Sequence, residues 1–91
     1  MTELRGLRID KWLFFARFIR SRALAIELIG ERRVRVNEHV IEKTHHLVRL
    51  GDVVTLRQPG GVRVVRVVAL GQRRGPASEA RALYTEILTD G

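Results

Sequence analysis

With 91 residues, 45% of them apolar, no cysteine and a formal charge of +7, the chain is long enough for one domain with a thin core and too short for two. The apolar run near its start, WLFFA at 12–16, falls far short of the roughly 20 residues of a membrane span, and Arg17 and Arg20 close it with no small-residue cleavage site, so neither a transmembrane helix nor a signal peptide is expected. Missing cysteine fits a reducing compartment, and the chain is expected in the cytoplasm with no membrane partner.

The first element is a helix over residues 8–19, with Ile9, Trp12, Leu13, Ala16 and Ile19 on one stripe and Asp10 favourably placed in its first turn. Ser21 suits the N-cap of a second helix that buries Leu24, Ala25, Leu28 and Ile29 and ends near Glu31. The period then changes to two: in RVRVN, Val34 and Val36 face one way while Arg33, Arg35 and Asn37 face the other, a half-buried strand with a basic outer side. Asn37 to His39 reads as a turn into a short strand at Val40 and Ile41, then a polar loop, EKTHH, and punctuation at Gly51-Asp52. VVTLR and VRVVRVVAL read as a hairpin about Pro59-Gly60-Gly61. Arg63 and Arg66, three apart, require either a bulge near Val65 or a sheet wet on both faces. Pro76 suits a helix start, and Ala80, Leu83, Tyr84 and Ile87 predict an amphipathic helix over 77–88 lying on the sheet. The expected fold class is α+β: two N-terminal helices packed on a small, mostly antiparallel curved sheet, plus a C-terminal helix.

Residues 1–37 hold nine basic and four acidic groups, residues 38–91 eight and six. Such clustering marks a binding face rather than general solubility. Fifteen of the 17 cations are arginine, whose planar fork grips phosphate and stacks on bases. The bland reading, a GC-rich genome favouring arginine codons, would explain arginine over lysine but not the clustering. Arg8, Lys11 and Arg17 lie off the first helix's apolar stripe, Arg20 and Arg22 sit at the junction, and Arg32, Arg33 and Arg35 follow the second helix; together they predict a basic groove for nucleic acid. The competing reading is a solvated surface laced with ion pairs, such as Asp10 with Arg17.

The order of RIDKWL, SRALAIELI, VRVN and GD resembles the alpha-L RNA-binding domain family named after small-subunit ribosomal protein four, over about residues 8–56. RRGPASEARALYTE at 73–86 is similar to the tail of one subgroup, the small bacterial heat-shock protein fifteen type. The chain is thus read as a single RNA-binding domain over 1–91, with a hairpin and C-terminal helix extending the core from residue 57. The resemblance implies binding to large-subunit ribosomal RNA and action on stalled or dissociated subunits carrying peptidyl-tRNA, as a monomer, with no enzymatic activity and no cofactor. The groove would present its arginines with Ser21, Asn37 and Lys43 to phosphates and 2′-hydroxyls, and Arg73 and Arg74 would make a second contact. Two positions depart from the family pattern: Arg32 and Glu38 stand where glycines are usual, at sites that favour a left-handed backbone and cost other residues about 1 kcal/mol. Gly30 offers an earlier helix stop.

Phe14 and Phe18, among the cations, either stack on unpaired bases or pack on the extension, and a thin core favours packing. His39, His45 and His46 lack the partners of a metal shell, and no nucleophile with base and orienter is recognisable. The alternatives to RNA binding are a DNA-binding helix-turn-helix over residues 9–31 and a protein-protein adaptor using Phe14, Phe18 and the last helix.

Overall fold

The computed structural model describes residues 5–90. Its elements in chain order are β1 (Leu7–Arg8), α1 (Ile9–Phe15), α2 (Arg22–Gly30), β2 (Val34–Val36), β3 (His39–Val40), β4 (Leu47–Val48), β5 (Val53–Gln58), β6 (Gly61–Val67), α3 (Ala77–Arg81) and β7 (Tyr84–Asp90). One antiparallel sheet runs β3-β2-β5-β6-β7, and β1 pairs with β4 in a separate ribbon. Alternation along the strands puts Val34, Val36, Val54, Leu56, Val65 and Val67 on one sheet face, where they close a single core with Ile9, Trp12 and Leu13 of α1 and Ala25, Leu28 and Ile29 of α2. The α+β architecture is the expected one. Trp12 is wholly buried, and its Nε1 donates to the Ala69 carbonyl at 3.0 Å, so its one polar atom is satisfied.

Both N-terminal helices end by the same device. The N–H of Arg17 donates to the Phe14 carbonyl (3.1 Å) and that of Phe18 to Leu13 (3.0 Å); the N–H of Arg32 donates to Ile29 (3.0 Å) and that of Arg33 to Leu28 (3.0 Å). This paired closure requires a left-handed residue one position past the cap, and Arg17 and Arg32 supply it at φ 65° and 61°. Helix α1 is therefore shorter than its apolar stripe suggests: Ala16 and Ile19 are buried, but beyond the helix. The left-handed backbone expected at Arg32 is retained without its glycine, as it is at Asn37 and Glu38 (φ 52° and 71°). Gly30 stays helical and is not the stop.

The beginnings of the helices differ. At α2 the Ser21 hydroxyl accepts from the Leu24 N–H at 3.2 Å, the cap read from the sequence. At α1 no side chain caps; instead the carbonyls of His46 and Thr44 accept from the N–H groups of Ile9 (2.7 Å) and Asp10 (3.4 Å). The EKTHH loop thus satisfies donors that every helix start leaves open. The same docking pairs β1 with β4, two short strands absent from the sequence reading.

Strand β6 meets the expectation of an irregularity near Val65 and of arginines on both faces, whereas the C-terminal element departs from expectation. Strand β6 runs in unbroken register with β5, so Arg63 and Arg66 do face opposite sides; the irregularity falls between β6 and β7, where Val64 pairs with Leu88 but Val65 with Glu86, leaving Ile87 as the extra residue. The C-terminal helix exists but stops at Arg81, and Tyr84–Asp90 form a strand. The helical stripe is not a core stripe: Ala80 is buried, yet Ile87 remains 48% exposed. Tyr84, Thr85, Ile87 and Thr89 favour a strand, and pairing with β6 satisfies a sheet edge that a helix would leave open.

Asp10 joins the two helices. Only 3% exposed, it accepts from Nε and Nη2 of Arg8 (3.1 and 2.9 Å) and from Nη2 of Arg22 (3.1 Å) at the start of α2. Burial alone would raise its pKa, but the hydrogen bonds and positive charges of Arg8 and Arg22 outweigh burial and hold it below the usual carboxylate range. Because the folded pKa is depressed, the stabilisation is full above about pH 4, the unfolded value, and disappears as pH falls through the lower folded value. Asp10→Asn is therefore expected to lower stability by about 1–3 kcal/mol at pH 7 in urea titrations and to shrink that difference towards pH 2. An equal loss at both pH values would show that shape, not charge, makes the joint.

Candidate nucleic-acid interface

The cations predicted from sequence divide into a connected strip and several residues engaged elsewhere. The strip begins below α2, where Arg32 reaches Glu42 at 3.4 Å, both largely exposed. It follows the loop through Lys43 to Thr44, whose carbonyl meets the start of α1, and arrives at Asp10 with Arg8 and Arg22. Exposed Ser21 and Arg20 follow Arg22 back along the chain to Ile19, whose carbonyl accepts from Nη2 of Arg74 at 3.4 Å. The side chains of Lys11, Arg20 and Lys43 have no ion-pair or hydrogen-bond partner among the described residues. Arg8 and Arg22 are each 43% exposed at the side chain, so Asp10 aims their forks without covering them. Sequence reasoning placed Asp10 beside the helix dipole and missed that it organises these arginines; its position two residues after Arg8 was the available signal.

At the far end of α1 the arginines hold the fold together. Arg17 donates from Nε to the Gly75 carbonyl at 2.6 Å, tying the loop before α3 to the end of α1. The Arg74 guanidinium lies 4.8 Å from the centre of the Phe14 ring. Arg73 pairs with Glu79 at 2.7 Å and keeps an exposed side chain. Phe14 and Phe18 pack against the core, as the thin core required: the Phe18 ring lies 4.6 Å from Tyr84 and 5.8 Å from Trp12, with the Arg63 guanidinium 4.6 Å from its centre. Hydrogen bonding from Arg63 holds the Glu86 carboxyl below its usual range, which fixes this stack to β7.

Three further predicted contacts do not join the strip. Arg33 is engaged by Glu31 at 2.8 Å. Arg35 pairs in register with Val40 and Thr55, between the buried Val34 and Val36, and so stands on the sheet face turned away from the helices. Asn37 spends its amide internally: Oδ1 accepts from the Val53 N–H (2.9 Å) and Nδ2 donates to Asp52 (3.1 Å), which secures the left-handed turn. The predicted groove is thus narrower than the arginine pattern, and it runs beside α1, α2 and the loop rather than along the outer face of β2.

Known proteins can be set against this geometry. The S4 domain model matches residues 7–54, the segment that carries most of the strip. Heat shock protein 15 of Escherichia coli is 45% identical over 80 residues, 88% of this chain and 59% of that protein. A heat shock protein 15 homolog of Haemophilus influenzae is 35% identical over 82 residues, 90% of this chain and 62% of that protein. The chain therefore spans about three fifths of the length of these curated relatives. The trimeric structure of Vibrio cholerae heat shock protein 15 aligns with a TM-score of 0.84 at 32% identity, over 91% of this chain and 83% of that one. The chain belongs to the S4-domain family of RNA-binding modules, and within it is similar to the heat shock protein 15 proteins.

Proposed function

We propose that residues 1–91 act as one RNA-binding domain that grips ribosomal RNA of the large subunit and acts on dissociated or stalled large subunits still carrying peptidyl-tRNA. It works in the cytoplasm, by binding rather than catalysis. The observation that carries the reading is the pair of arginine forks aimed from one buried carboxylate, Asp10, and flanked by Lys11, Arg20 and Lys43, whose charges no described residue neutralises. A rigid cationic strip of this kind suits the phosphates and 2′-hydroxyls of folded RNA, read by shape. The large-subunit target is supported by the similarity to heat shock protein 15. The strip lies within one chain, so the proposal is of a monomer, although the Vibrio cholerae relative is described as trimeric.

Neither alternative has comparable support. Apart from Arg22, whose fork is held by Asp10, the outward positions of α2 are Ala23, Ile26, Glu27 and Gly30, with Ile26 61% exposed, and these offer no base-reading fork to a major groove. The aromatic residues an adaptor would use are committed to the core.

Affinity for a stem-loop RNA is expected to fall with salt at a log–log slope of about −4 to −5, the signature of five or six phosphate contacts. A slope near zero, or equal affinity for duplex DNA, would remove the strip as an RNA site. Lys43→Ala and Arg20→Ala should each weaken binding by about 1–2 kcal/mol at unchanged melting temperature, while Arg57→Ala does little. Arg32→Gly separates folding from binding: it relieves a left-handed arginine, so stability should hold or rise by up to about 1 kcal/mol while affinity falls. Sedimentation of cell lysate tests the target. Enrichment with free large subunits, increased when translation is stalled, is expected; co-migration with small subunits alone would leave a general RNA-binding module.

A further inference from the structure

The chain has three histidines, and all three line one surface hollow of about 400 Å³, together with Val40, Ile41, Glu42 and Lys43. His39 comes from β3, and His45 and His46 from the loop that caps α1. That loop is held firmly: its turn is closed by the His46 N–H on the Lys43 carbonyl at 3.2 Å, and its carbonyls are fixed by the first N–H groups of α1. The hollow adjoins the cationic strip directly, since Lys43 belongs to both and Glu42 is the partner of Arg32. Among the described residues no group of His, Asp and Glu side chains is arranged to hold a metal ion. Three exposed imidazoles on a fixed frame, beside an unpaired ammonium, instead make a site for an anion.

We infer that this hollow is a proton-gated phosphate subsite, which takes a phosphodiester group of the RNA bound on the adjoining strip. This rests on the RNA-binding reading above. The charged groups that line the hollow are Lys43 and Glu42, and Arg32 offsets Glu42 from the side. Arg8, on the neighbouring ribbon opposite Leu47, is committed to Asp10. With neutral imidazoles the lining carries little net charge. Each imidazolium adds one positive charge and a second N–H donor, both of which a phosphate oxygen accepts. Histidine is the side chain suited to gaining a charge in mild acid, and all three of the chain's histidines line this one hollow.

Fluorescence anisotropy with a labelled stem-loop RNA, at constant ionic strength from pH 7.5 to 5.5, tests the inference. Affinity should rise about fivefold for each imidazolium that engages a phosphate oxygen, and the salt slope should steepen by about one for each added phosphate contact. In the triple variant His39→Gln, His45→Gln, His46→Gln, with an unchanged thermal melt, the rise should vanish while binding at pH 7.5 persists. Imidazole titrations followed by NMR should move to higher pH when the stem-loop saturates the protein. A flat wild-type profile with RNA still bound, or an equal rise in the triple variant, would overturn the subsite and leave the RNA-binding strip standing. Imidazoles that respond to inorganic phosphate but not to the stem-loop would also overturn it. Absence of RNA binding at every pH would remove the strip and the subsite together.

Discussion

A single buried carboxylate fixes how two helices meet and where the cations around them point. Asp10 sits on α1, takes one arginine from the strand before it and another from the start of α2, and is almost wholly removed from water. A charge so placed is tolerated because both partners donate hydrogen bonds to it, and removing either would leave it under-compensated. The loop that caps α1 docks at the same helix start, so Lys43, His45 and His46 take their positions from that end of the helix. Folding and the cationic strip therefore share one joint. Core packing is non-directional, whereas the charged clamp adds hydrogen bonds that require one geometry.

Much of this was legible in the chain. Ser21 as a cap, the alternation of Val34 and Val36, and the hairpin at Pro59-Gly60-Gly61 each rest on local chemistry that sequence displays. The features that were hidden depend on partners distant in sequence. Tyr84–Asp90 carries a helical spacing, but the open edge of β6 decides in favour of a strand. The EKTHH loop looks like a polar connection until the uncapped donors of α1 are placed opposite its carbonyls. Likewise, the arginine pattern located a basic surface but could not sort its members. Arg17 and Arg74 support the far end of α1, Arg35 stands on the opposite face of the sheet, and Asn37 is absorbed by its own turn.

The left-handed arginines bear on why the charges are there. Arg17 and Arg32 occupy positions where glycine closes a helix with least strain, and each does so at a cost of about 1 kcal/mol. At Arg17 the structure shows a return, a hydrogen bond to the Gly75 carbonyl that glycine could not make. At Arg32 the side-chain partner among the described residues is Glu42 at 3.4 Å, and an ion pair so exposed contributes little to stability. That pair offsets little of the backbone strain, in contrast to the hydrogen bond at Arg17.

The strip also combines two kinds of cation with different consequences for binding. Lys11, Arg20 and Lys43 have no partner among the described residues, so their charges would attract a polyanion from a distance, but their long side chains would lose rotamer freedom on contact. Arg8 and Arg22 are already held by Asp10, and a guanidinium has five N–H donors, of which Arg22 spends a single bond on the carboxylate. Both side chains stay 43% exposed while held by Asp10, so much of their ordering is completed during folding rather than at a contact. An anionic surface drawn in by the free charges meets forks that need little rearrangement to engage it, and the carboxylate that weakens the local potential is the same group that makes those forks rigid.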